Sequence, residues 1–111
     1  MLYIDGEWRP AASGRTFESH DPATGAVIDR VADGGLEDVR AAIDAAAAAF
    51  DGWAGRTAYE RSAALAAAHR LMLERKEALA QLMTREQGKP LRMARSEVGY
   101  AADFLSWFAE E

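Results

Sequence analysis

Glu86-Gln87-Gly88-Lys89-Pro90-Leu91 is the stretch from which the rest of this chain can be read. It separates two long helical patterns. Gly88 has no Cβ, so it can take the left-handed conformation that closes a helix. Pro90 fits the first turn of a following helix, where its missing N–H costs nothing. Lys89, placed before a proline, is driven toward extended backbone. The six residues read as stop, corner and restart. A phosphate loop is the competing reading of Gly88-Lys89. That loop needs a glycine five residues before the Gly-Lys pair and a Ser or Thr after it. Met83 and Pro90 occupy those positions, so the helix–helix corner stands.

Downstream of the corner, Leu91, Ala94, Val98, Ala101, Ala102, Leu105 and Phe108 recur at helical spacing. Phe104 and Trp107 widen this stripe, which predicts a last helix buried on more than one side. It ends in Glu110-Glu111, with neither the basic residues nor the glycine that suit a helix C-terminus. A frayed terminal helix would explain this. The preferred reading is that the chain was cut from something longer.

Upstream, Thr57-Ala58-Tyr59-Glu60 is a capping box that opens a helix. Ala64, Leu65, Ala68, Leu71 and Met72 form one face of it, and Leu79, Leu82 and Met83 resume the pattern. Between them Glu74-Arg75-Lys76-Glu77 is a charged break, which predicts a kink or short interruption. Before that, a helix starts near Leu36, with Glu37 and Asp38 suiting its positive end. Leu36, Val39, Ile43, Ala46 and Phe50 predict a core-facing stripe, the alanines at 45 to 49 permit close backbone approach, and Asp51-Gly52 reads as the stop. Trp53 then falls in a loop as a plug over the helix ends. Residues 1–33 read as short strands and turns: Asp5-Gly6 as a tight hairpin turn between Leu2–Ile4 and Trp8, Thr16-Phe17-Glu18 as a strand, Asp21-Pro22-Ala23-Thr24-Gly25 as a turn, and residues 26–31 as a strand. The expected fold class is α+β: short antiparallel strands, then three to four helices over residues 36–51, 57–87 and 90–110.

Composition limits the chemistry. The chain has 111 residues, one domain at most. Half of it is apolar, but much of that is alanine, so Trp53 and Trp107 are expected to anchor the packing. A net charge of −5 with no basic run argues against nucleic acid and anionic membranes. Arg56, Arg61, Arg70 and Arg75 are interspersed with glutamates and alanines, as on a solvated face. With no cysteine there is no disulfide, thiolate zinc site or thiol nucleophile in these residues. His20 and His69 have no second ligand at helical spacing, so no metal is expected. No signal peptide and no membrane span are read, and the run 41–50 is short and carries Asp44. The expected localisation is cytoplasmic.

The series Tyr3-Ile4-Asp5-Gly6-Glu7-Trp8, Asp21-Pro22-Ala23-Thr24-Gly25, Ala49-Phe50 with Trp53, Glu60-Arg61 and Glu86-Gln87-Gly88-Lys89-Pro90-Leu91 resembles the N-terminal portion of the aldehyde dehydrogenase superfamily. Glu97-Val98-Gly99-Tyr100-Ala101-Ala102 and Trp107-Phe108-Ala109-Glu110-Glu111 look most like the succinate-semialdehyde dehydrogenase branch. Each motif alone is weak, and the ordered series is specific. Asp21 departs from the family's usual Asn but serves the same turn.

The resemblance implies a segment of the family's α/β fold, in an enzyme that oxidises an aldehyde, here succinate semialdehyde, to a carboxylic acid with NAD or NADP. It implies a cysteine nucleophile, a glutamate base and an oxyanion asparagine. All of these are expected beyond these residues, which contain neither Cys nor Asn. By resemblance, the helix after the corner helps wall the substrate tunnel, with Ser96, Tyr100 and Phe104 on that face and Tyr100 the first candidate; the competing reading is that Tyr100 is simply a core residue. No catalytic or cofactor-binding residue is assigned, and the 111 residues alone are expected to bind no dinucleotide and show no turnover. The early strands are expected to join the oligomer-forming part of a homo-oligomer. Two alternatives remain: a non-catalytic helical module that associates with itself or with a full-length dehydrogenase, and a truncated product with no function of its own.

Overall fold

The computed structural model describes residues 1–111. They form two small antiparallel sheets and four helices, an α+β chain. Two compact units share it: Met1–His20 with Val27–Gly55, and Asp21–Ala26 with Arg56–Glu111.

In the first unit, β1 (Leu2–Ile4) pairs with β2 (Glu7–Arg9), Tyr3 opposite Trp8. Asp5 and Gly6 between them both take positive φ, 55° and 78°, matching the twist of a two-residue hairpin. The Tyr3 and Trp8 rings lie 5.0 Å apart across the ladder. β3 (Thr16–His20) pairs with β4 (Val27–Ala32). Ser19 faces Asp29 while His20 faces Val27, so Ile28 is the extra residue of a bulge. Glu18 and Arg30, opposite each other, form an ion pair at 2.6 Å.

Helix α1 (Leu36–Ala54) starts where the sequence places it but runs past Asp51-Gly52. Gly52 is helical, and the helix closes at Gly55, whose N–H donates to Asp51 O at 2.9 Å. A single glycine inside a helix costs only about 1 kcal/mol, too little to stop one that gains another turn of hydrogen bonds. Trp53 therefore sits in the last helical turn and not in a loop. The expected core stripe is also corrected. Leu36, Val39, Ile43 and Phe50 are each more than half exposed, because the contact of α1 with β1 leaves most of that face open.

In the second unit, the turn 21–26 is closed by Asp21. Its Oδ1 accepts from Ala23 N–H at 2.8 Å, and its N–H donates to Ala26 O at 2.9 Å. Helix α2 (Ala58–Glu74) begins with the expected capping box: Glu60 N–H donates to Thr57 Oγ1 at 3.3 Å, and Thr57 N–H to Glu60 Oε2 at 2.9 Å. Arg75 leaves helical geometry at φ −99°, ψ 9°, and α3 (Lys76–Gln87) follows at the charged break. Gly88 is left-handed at φ 69°, with its N–H on Thr84 O at 2.8 Å. Pro90 sits just before α4 (Leu91–Glu110), its carbonyl accepting from Met93 and Ala94 N–H.

The core of this unit is built from small side chains. Ala80, Ala94 and Val98 are buried, with Met72, Leu79, Met83 and Leu91 packed around them. Ala102 is fully buried as well. Alanines let α2 and α3 close on α4 with little space between backbones. The tryptophans do not anchor the packing: Trp107 is 64% exposed and Trp53 41%. Helix α4 is buried on one side only. Phe104, Trp107 and Phe108 stay exposed because α2 and α3 cover just the Ala94–Val98–Ala102 face.

Candidate functional site

Burial of Ala94, Val98 and Ala102 fixes the rotation of α4 and sends the opposite face outward. Two contacts hold that rotation. Arg95 donates from Nε and Nη2 to the two Glu77 carboxylate oxygens, both at 2.8 Å. These bonds, with one from Gln81 Nε2 at 3.0 Å, lower the Glu77 pKa to about 2. Lys89 pairs with Glu97 across the corner.

Tyr100 and Phe104 meet edge to face on the outward side, centroids 4.9 Å apart. With Asp103, Trp107 and Phe108 they line an open hollow of about 310 Å³. That is the low end of the size range of small-molecule sites. Four aromatic walls suit the apolar part of a ligand. Of the three residues read from sequence, two come together here. Ser96 does not line the hollow; its hydroxyl donates to Arg92 O at 3.3 Å. Asp103, Trp107 and Phe108 were not singled out for this site. Their spacing of three, seven and eight residues from Tyr100 carried the signal.

A second hollow, about 260 Å³, is lined by Leu2, Tyr3, Ile4, Gly34, Asp38, Val39 and Ala42. Asp38 is buried, accepting from Gly35 N–H and from Ala12 N–H, both at 2.9 Å. The Gly35 bond first, then the Ala12 bond, lower its pKa below the usual carboxylate value. This geometry tests the fit of a dinucleotide. A helix opening after a strand and two glycines is where a pyrophosphate would sit. Here Asp38 itself takes the Gly35 N–H, Glu37 adds a second negative charge, and the preceding strand belongs to an antiparallel pair. These residues do not form a dinucleotide cradle. No group of three or more His, Cys, Asp or Glu comes together as a metal site, and no helix is long and apolar enough to cross a membrane.

The sequence profile of the Aldehyde dehydrogenase family matches residues 8–111. The glutarate-semialdehyde dehydrogenase of Pseudomonas putida is 50% identical over all 111 residues, which span 23% of it. The NADP(+) succinate-semialdehyde dehydrogenase GabD of Escherichia coli is 46% identical over 108 residues, 97% of this chain and 22% of that one. Betaine aldehyde dehydrogenase of Staphylococcus aureus, solved with NAD+ bound, superposes with a TM-score of 0.93 at 34% identity, over 97% of this chain and 22% of its own. The chain thus spans under a quarter of the length of these relatives.

Proposed function

Because this chain belongs to the aldehyde dehydrogenase family, we propose that it is the N-terminal segment of an NAD(P)-dependent enzyme that oxidises succinate semialdehyde, or its five-carbon homologue, to the dicarboxylate. The carrying observation is the 50% identity, sustained over every residue, to a glutarate-semialdehyde dehydrogenase. The 46% identity to a succinate-semialdehyde dehydrogenase points to the same substrate class.

In this reading the segment does no bond-making. The nucleophile, the base and the dinucleotide site belong to the remainder of the enzyme, where NAD or NADP accepts the hydride. The aromatic face of α4 contributes Tyr100 and Phe104 to the wall of the substrate path, with Ser96 one turn outside the hollow. The working enzyme is a cytoplasmic homo-oligomer.

The test is a chimera in which this chain replaces the matching first segment of the P. putida enzyme. Reduction of NAD or NADP with succinate or glutarate semialdehyde is expected from the chimera, and none from the 111 residues alone. A folded, oligomeric chimera without turnover would refute the reading. A second reading, a self-associating helical module, is favoured by the exposed Leu36, Ile43, Phe50, Trp107 and Phe108. Light scattering on the isolated chain tests it, and a strictly monomeric species counts against it.

A further inference from the structure

The hollow on α4 is aromatic except for one group. Asp103 is the only ionisable carboxyl among its lining residues, and no Lys or Arg lines it. Two nearby cations are committed elsewhere, Arg95 to Glu77 and Lys89 to Glu97, and the one left without an ion pair, Lys76, offsets part of the Asp103 charge. Lys76 reaches α4 one turn before Asp103, its Nζ lying over Gly99, and forms no ion pair with Asp103. Arg92 is eleven residues away along the helix, three turns. A carboxylate in an aromatic wall disfavours anions and, with ring faces beside it, favours cations.

We infer that Asp103 is a specificity-determining residue of this hollow, selecting by charge against the carboxylate end of a semialdehyde. The inference rests on the proposed function, in which the hollow borders the substrate path. Its consequence is that the carboxylate of the substrate is received elsewhere in the enzyme, while the hollow admits the uncharged methylene and aldehyde end. Two like charges about 7 Å apart in water repel enough to lower kcat/KM for an anion roughly 3- to 7-fold at low salt, which sets the scale of the effect.

The experiment uses the active chimera, D103N in it, and three aldehydes on a four-carbon chain: succinate semialdehyde (anion), butanal (neutral) and 4-trimethylammoniobutanal (cation). Ratios of kcat/KM are read, because they do not depend on the fraction of enzyme that is folded. In D103N the anion-to-neutral ratio is expected to rise about 3- to 7-fold at roughly 20 mM ionic strength and the cation-to-neutral ratio to fall. Both changes should shrink near 0.5 M salt, where the screening length is a few ångströms. Unchanged ratios overturn the inference. F104A separates this from failure of the underlying assignment. Loss of kcat/KM with all three aldehydes supports a hollow on the path. An F104A enzyme that matches wild type with all three removes the hollow from the path, and the inference goes with it.

Discussion

Replacing Gly88 by alanine tests the corner on which the helical unit turns. Gly88 sits at φ 69°, where a residue with a Cβ is strained by about 1–2 kcal/mol. The added Cβ would also lie 3.1 Å from Pro22 Cγ. Pro22 is exposed on a turn, so its ring can yield by a few tenths of an ångström, adding less than about 1 kcal/mol. Against this, alanine loses less chain entropy on folding, which offsets about 0.4–1 kcal/mol. The net destabilisation centres on about 1 kcal/mol. With a urea slope of about 1.5 kcal/mol/M, the unfolding midpoint falls by roughly 0.7 M. The assay is urea unfolding followed by far-ultraviolet circular dichroism on G88A, P22A and the double variant. The double-mutant cycle isolates the Pro22 contribution and leaves the backbone term. A G88A midpoint equal to or above wild type would refute the left-handed corner.

Other outcomes follow from the same contacts. T57A removes the hydroxyl of the capping box and should lower stability by about 1 kcal/mol, read as a midpoint shift in urea. Glu77 titrates near 2 when folded, against an ordinary 4.5, so its pairing with Arg95 stabilises fully above pH 4.5 and fades as pH falls toward 2. E77Q should therefore destabilise the chain at pH 6 and make little difference near pH 2; an equal effect at both pH values would exclude the ion pair as the cause. D38N leaves one carbonyl oxygen where two oxygens accept from Ala12 and Gly35, so hydrogen exchange at one of those amides should quicken roughly tenfold.

Features governed by neighbouring residues were legible in the sequence. The Gly88 corner, the Thr57–Glu60 box, the break at Arg75 and the Asp21 turn each depend on chemistry within a few positions, and each stands in the structure. What covers a helix face does not have that property. The periodicities of Leu36–Phe50 and Tyr100–Phe108 identify apolar faces, yet a period says nothing about the partner. Both faces are open in the 111 residues. The same limit explains the tryptophans: size suggested anchors, while the core is built from Ala80, Ala94, Val98 and Ala102, whose small side chains carry little signal. The end of α1 was misplaced because Asp51-Gly52 looks like a stop, and the stop that operates, Gly55, lies three residues on.

The candidate site was half legible. Tyr100 and Phe104 were named and lie together. Ser96 shares their helical face but lies beyond the hollow, one turn toward the N-terminus. Asp103 carries no signal of its own in the sequence, where a lone acid on a helix has no pattern to mark it; only the rotation of α4 shows that it joins the aromatic wall. Asp38 was read as a charge at the positive end of a helix, which it is. Its second role, tying the loop at Ala12 to the helix start, depends on a contact 26 residues away in sequence.

The most direct test of the central claim is the intact mass of the native product in its source cell. These residues weigh 12.1 kDa and span 23% of the P. putida relative. A product about four times heavier, containing this sequence at its N-terminus, is the expected result. A native product of 12.1 kDa would contradict the claim that the chain works as one segment of a dehydrogenase.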